Sequence, residues 1–168
     1  FPIETSNDLL MLAHICAQRH DYELAINLLK SDEKAFPLGL NELVLLAHCY
    51  NKVSLFHGAV LAYKSALELE PDRPDILVEL AFSYDKFSDR VSAFATLKKC
   101  VDRFPNFGQG HARISTIYAY LEKVDLCLEH AETAFSLDPN NTLCQHSLIH
   151  AYRKANKKEK AIQLTEKL

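Results

Sequence analysis

Residues 40–73 read LNELVLLAHCYNKVSLFHGAVLAYKSALELEPDR, and this stretch decides the fold. Its first half carries Leu43, Leu46, Ala47 and Tyr50, and its second carries Ala59, Tyr63, Ala66 and Pro71. Apolar residues three and four apart mark amphipathic helices. The proline closes the second half, because it has no N–H to donate and pushes the residue before it out of the α region. Small residues at Ala47 and Ala59 let two helix backbones approach closely, and the larger side chains fill the space around that contact.

The same marks return along the chain. Pro37, Pro71, Pro105 and Pro139 stand at a constant interval of 34 residues. Tyr50, Tyr84, Tyr118 and Tyr152 keep the same step, and Cys16 occupies its first position. So do Ala25, Ala59, Ala93, Cys127 and Ala161, and so do Leu12, Leu46, Leu80, Ile114 and Leu148. A fixed period of this length is the mark of a helical-repeat architecture.

With these residue types the period resembles the tetratricopeptide repeat. Numbering each unit from 1, residues 40–73 place Leu43 at position 4, Leu46 at 7, Ala47 at 8, Tyr50 at 11, Ala59 at 20, Tyr63 at 24, Ala66 at 27 and Pro71 at 32. Position 4 is leucine where that pattern has tryptophan. The resemblance spans units 6–39, 40–73, 74–107, 108–141 and an incomplete 142–168. It implies an all-α fold, a right-handed superhelical solenoid of antiparallel helix pairs, each unit being a helix A followed by a helix B. It also implies one solenoid domain over 1–168. The chain opens on Phe1 and stops inside a helix B, so it reads as a piece of a longer protein.

Several positions depart from the pattern. Ser115 and Ile149 take the small-residue position 8, Asp32 takes position 27, and Thr165 takes position 24. Ile149 is bulky for the closest approach of two helices, so the last unit is expected to pack differently. Gly108 and Gly110 open the fourth unit, which predicts a late or frayed start to its helix A. With four glycines in all, few positions of positive φ are expected.

Composition excludes several classes. Of 168 residues, 48% are hydrophobic and 24% charged, which is a globular balance. The net charge of −3 argues against nucleic acid, whose phosphates need cations. No run is long and apolar enough for a membrane span, and no basic, apolar leader precedes the first helix. The five cysteines are odd in number and lie among apolar neighbours, as buried reduced thiols do. The expected localisation is therefore cytoplasmic. His146 and His150 have ligand spacing, but no glutamate completes a zinc motif, so no metal and no cofactor are expected. No phosphate loop, nucleophile elbow or other catalytic arrangement appears, so no enzyme activity is expected.

The resemblance implies a concave groove lined by the A helices. The residues it places there are Asn7, Leu10 and His14, then Asn41, Val44 and His48, then Asp75, Val78, Glu79 and Phe82, then Arg113 and Thr116. The groove reads as apolar at its floor and polar at its rim, suited to a segment of another protein. The Lys and Asn clamp by which co-chaperone members of that family hold a terminal carboxylate is missing, since Leu10, Val44 and Val78 stand where its lysine belongs. Charge is uneven, with 6 basic and 12 acidic residues over 1–84 against 13 and 10 over 85–168. The expected function is a protein-interaction module, a scaffold or adaptor. The alternative is the recognition arm of a larger enzyme, such as a glycosyltransferase or other transferase, whose catalytic domain lies outside the chain. Self-association through an uncapped last helix, with Ala161, Leu164 and Leu168 on one side, is a further expectation.

Overall fold

A computed structural model gives the structure and describes residues 6–31 and 37–167, with side chains at the first end from Asp8 onward. Asp32, Leu168 and the side chain of Asn7, all used above, lie outside what is described. Ten helices and no strands occur among the described residues. The A helices are α1 (Ser6–Gln18), α3 (Leu40–Lys52), α5 (Pro74–Lys86), α7 (Gly108–Tyr120) and α9 (Thr142–Lys154). The B helices are α2 (Tyr22–Lys30), α4 (Phe56–Leu69), α6 (Arg90–Arg103), α8 (Val124–Leu137) and α10 (Lys158–Lys167). Every A start and every B start is 34 residues from the next, so the repeat of the sequence is the repeat of the helices.

Each A helix ends in the same way. His20, Ser54, Ser88, Glu122 and Asn156 have φ between 55° and 68°, again at the repeat interval. After each, the next N–H reaches back to the carbonyl of the position-11 residue: Asp21 to Cys16, Leu55 to Tyr50, Asp89 to Tyr84, Lys123 to Tyr118 and Lys157 to Tyr152, at 2.8–2.9 Å. This six-to-one bond is the Schellman ending, which satisfies helix carbonyls and turns the chain sharply. The expectation of few positive-φ positions is thus corrected. Among the described residues five occur, none of them glycine, because the closing hydrogen bonds hold ordinary residues there.

Contacts group the chain into two compact units, Phe1–Arg90 and Val91–Leu168. In the first, α1 packs on α2, α2 on α3, α3 on α4 and α4 on α5. Its core joins Ala13, Ala25, Ala47 and Ala59, all without exposed surface, to Leu29, Leu46, Tyr63 and Leu80. Asn51 Nδ2 donates to Ser83 Oγ at 2.9 Å, which links α3 to α5 and gives the buried serine a partner. Pro74 sits in the first turn of α5, where its missing N–H costs no helical bond.

In the second unit α7 packs on α8, α8 on α9, α7 on α9 and α9 on α10. Ser115 and Ser147 approach at 3.2 Å between hydroxyls, and Lys154 Nζ donates to Glu122 at 3.0 Å. The expected late start of α7 does not occur, since it begins at Gly108 in phase with the other A helices. Its glycines serve close packing. A Cβ on Gly108 would lie 3.0 Å from the Ala134 carbonyl oxygen, and one on Gly110 would lie 3.2 Å from Cys100 Sγ. Ile149 is half-buried, and α9 and α10 pair less extensively than α3 with α4 or α7 with α8, as expected for a unit with a bulky residue at position 8. All five thiols are buried and free of disulfides. Burial pushes Cys49 and Cys127 up, and burial with the charge of Asp138 pushes Cys144 to about 11.

His111 occupies position 4, where the first three units hold Leu9, Leu43 and Leu77. Its Nε2–H donates to the Pro105 carbonyl at 3.0 Å, so its Nδ1 accepts, and His130 Nδ1–H supplies the bond at 2.9 Å. His130 stacks on Tyr118, whose other neighbour is Phe94 edge-on at 5.7 Å. Burial holds the His130 pKa below the ordinary histidine value, the charge of His111 lowers it further, and Glu129 opposes both.

Two outcomes follow from this construction. Replacing Ser54 by glycine relieves the positive-φ cost and raises stability by about 0.5–1 kcal/mol, read as a higher urea midpoint, whereas Ser54→Val lowers it. The second is acid sensitivity. Because folding favours neutral His130, the unfolded chain takes up its proton first as pH falls. The stabilisation present above about pH 6.5 is then lost as pH drops toward the lowered folded value. Melting curves from about pH 7.5 to 5 should show this loss, and His130→Phe should reduce it.

Candidate binding groove

The A helices of the first unit leave a depression of about 370 Å³ along their shared face. Helix α1 contributes Leu10 and His14, and α3 contributes Asn41, Val44, Leu45 and His48. Helix α5 contributes Asp75, Ile76 and Glu79. Tyr63 reaches it from α4, and Arg73 closes one end from the loop before α5. Helical spacing explains the grouping, since residues three and four apart share a face.

The floor is apolar. Leu10 and Val44 are half-buried, and Leu45 and Ile76 are buried. His14, Asn41 and His48 are exposed along the rim. Tyr63 is only 1% exposed. Its hydroxyl is held protonated by burial and by the nearby charge of Glu79, against a hydrogen bond with Asn51. His48 lies below the ordinary histidine value, because burial and the Lys52 charge outweigh the attraction of Glu79. It is therefore neutral near pH 7.

The α5 wall carries the charge. Arg73 Nη2 meets Asp75 at 2.7 Å and its Nε donates to the same carboxylate at 3.0 Å. Its Nη1 reaches Glu70 at 3.2 Å. These hydrogen bonds hold the Asp75 carboxyl below the usual carboxylate range and raise the guanidinium. Glu79 stands one turn beyond Asp75 on the same wall. Among the described residues no hydrogen bond or ion pair is made by its carboxylate, which acts on Tyr63 and His48 through its field.

Of the expected groove residues, Leu10, His14, Asn41, Val44, His48, Asp75 and Glu79 come together here. Val78 does not, because it is 1% exposed and packed into the core, and its placement in the groove is corrected. Phe82 is half-buried on α5 outside the depression and has Lys86 over its ring at 5.4 Å. Arg113 and Thr116 belong to the second unit, where Thr116 Oγ1 donates to the Ala112 carbonyl at 3.2 Å. Reading one set of repeat positions in every unit missed Tyr63, Arg73 and Ile76, whereas Leu45 stands at position 6, the position of Glu79 and Arg113. Tyr63 had a signal, being the only aromatic residue at position 24, where Leu29, Leu97, Ala131 and Thr165 stand elsewhere. Among the described residues no cluster of three His, Cys, Asp or Glu side chains has metal-binding geometry, and no helix is long and apolar enough to cross a membrane.

No family model matches the sequence, and no curated protein sequence matches it either. Solved structures do. The thermophilic TPR protein TTC0263 of Thermus thermophilus superposes with a TM-score of 0.78 at 18% identity, covering 97% of this chain and 89% of that one. The MamA protein gives 0.76 at 18% identity, with 98% and 90% covered. YrrB, described as a TPR protein with an unusual peptide-binding site, gives 0.68 at 15% identity, with 98% and 84% covered. The fold is all-α, the helical-repeat solenoid of tetratricopeptide proteins.

The field of Glu79 can be read directly. Glu79→Gln removes the one charge that raises His48, so an NMR titration of His48 should move to lower pH than in the wild type.

Proposed function

We propose that this protein is a non-catalytic interaction module whose first unit, Phe1–Arg90, holds a segment of another protein in the groove described above. The observation that carries this reading is the groove itself, an apolar floor of Leu10, Val44, Leu45 and Ile76 open to solvent beneath a polar rim. A concave apolar site with few polar groups is what a docked side chain or peptide needs, because burial supplies affinity and the rim fixes orientation. The fold agrees with this use. YrrB is described by its peptide-binding site, and the hetero-tetramer of Cut9 and Hcn1, similar over 86% of this chain with a TM-score of 0.70, is an assembly of protein chains. The five thiols are buried, and none of them lines the groove.

The test is selection of a phage-displayed random-peptide library on the whole chain, followed by affinity measurement. Selected peptides should bind Val44→Asp and His14→Ala at least about tenfold more weakly. They should bind Leu61→Ala normally, since Leu61 is exposed on α4 outside the groove. Circular dichroism checks that the variants fold. Peptides that ignore both groove changes would show that binding lies elsewhere.

A further inference from the structure

The groove has an electrostatic demand that its own residues leave unmet. Asp75 and Glu79 lie one helical turn apart on its α5 wall, and only Asp75 has a cation, Arg73, at 2.7 Å. Arg73 is fully engaged between Asp75 and Glu70. Glu79 is half-buried beside Tyr63 and Ile76, and no other described residue gives it an ion pair. His48 lines the same groove, but partial desolvation of its ring and the Lys52 charge disfavour its protonation against the pull of Glu79. The surrounding unit does not compensate, for residues 1–90 hold 8 basic and 14 acidic side chains.

An apolar occupant would cover Glu79 and strip its water without replacing it. Taking an unpaired carboxylate out of water is costly and works against the gain from the apolar floor. An occupant that brings its own cation turns that cost into a charge-assisted hydrogen bond. An anionic occupant would meet repulsion from Glu79 with no lysine in the groove to offset it.

We propose that the groove takes a protein segment with an arginine or lysine next to an apolar side chain. The cation pairs with Glu79, and the apolar side chain rests on Val44, Leu45 and Ile76. This rests on the groove reading above and adds the chemistry of the occupant. The polarity is the reverse of a carboxylate clamp: the groove supplies the anion and the partner supplies the cation.

The probe is the set of peptides selected from a phage-displayed random library on the whole chain, measured by fluorescence anisotropy. A basic residue should be enriched beside an apolar one. Glu79→Gln should weaken binding about tenfold and flatten its salt dependence. Replacing the basic residue of the peptide by alanine should cost about as much against the wild type and little against Glu79→Gln, the signature of a direct pair in a double-mutant cycle. Glu79→Lys should prefer the same peptides with glutamate at that position. Peptides that lose affinity for Val44→Asp but bind Glu79→Gln unchanged would leave the groove standing and overturn the basic occupant. Failure to select any groove-dependent peptide overturns both.

Discussion

The closest approach of two helix backbones at alanine is the contact on which the rest depends. Ala13, Ala25, Ala47 and Ala59 have no exposed surface, and each stands at one of the two small-residue positions of its repeat. At such a contact a larger side chain has nowhere to go without spreading the helices, which costs about 1–3 kcal/mol in a packed core. The spacing of A from B fixes where the next A helix can lie. The second unit meets the same demand with other residues, using Ser115, Cys127 and the glycines that open α7. Close approach is kept along the chain as a geometry while the residue type changes.

Adjacent A helices meet with a shift of register. Asn51 reaches Ser83 and Ser115 reaches Ser147, and Glu122 in the turn after α7 reaches Lys154 on α9; in each case the separation is 32 residues, two short of the repeat. A residue at one position therefore faces a residue two positions earlier on the next A helix. This slippage shapes the groove. Its wall is positions 5 and 9 on α1, positions 2, 5, 6 and 9 on α3, and positions 2, 3 and 6 on α5. A groove read as identical positions in every unit drifts out of register by the third helix, and Val78 at position 5 of α5 ends in the core.

The helices and their phase were legible because proline spacing and small-residue spacing are properties of the chain itself. Pro71, Pro105 and Pro139 each stand two residues past the end of a B helix, since the missing N–H is local chemistry. The place of the A–B turns was legible, but their backbone conformation was not. Sequence reading looks for glycine at positive φ, and here His20, Ser54, Ser88, Glu122 and Asn156 take that conformation. Their turns are held by a long backbone bond to position 11, which no side chain announces. Gly108 and Gly110 misled in the opposite sense, reading as helix breakers while serving as contact points for Ala134 and Cys100. A glycine's role depends on what lies against it, and that is a tertiary fact.

Individual chemistry collects at the positions that the repeat leaves free. Position 6 reads Met11, Leu45, Glu79, Arg113 and Ser147, five residues of different character, and position 24 holds an aromatic only at Tyr63. Positions 8 and 20 must be small wherever two backbones touch, so they can encode little about a partner. Position 6 of α3 and α5 faces the groove rather than the contact between A and B backbones, so buried apolar Leu45 and half-buried charged Glu79 both fit. The recurring positions therefore build a frame common to many chains of this fold, and the free positions give one groove its sign. In this chain the sign is negative: the nearby histidine is neutral, the nearby arginine is already paired, and Glu79 is the charge that a partner meets.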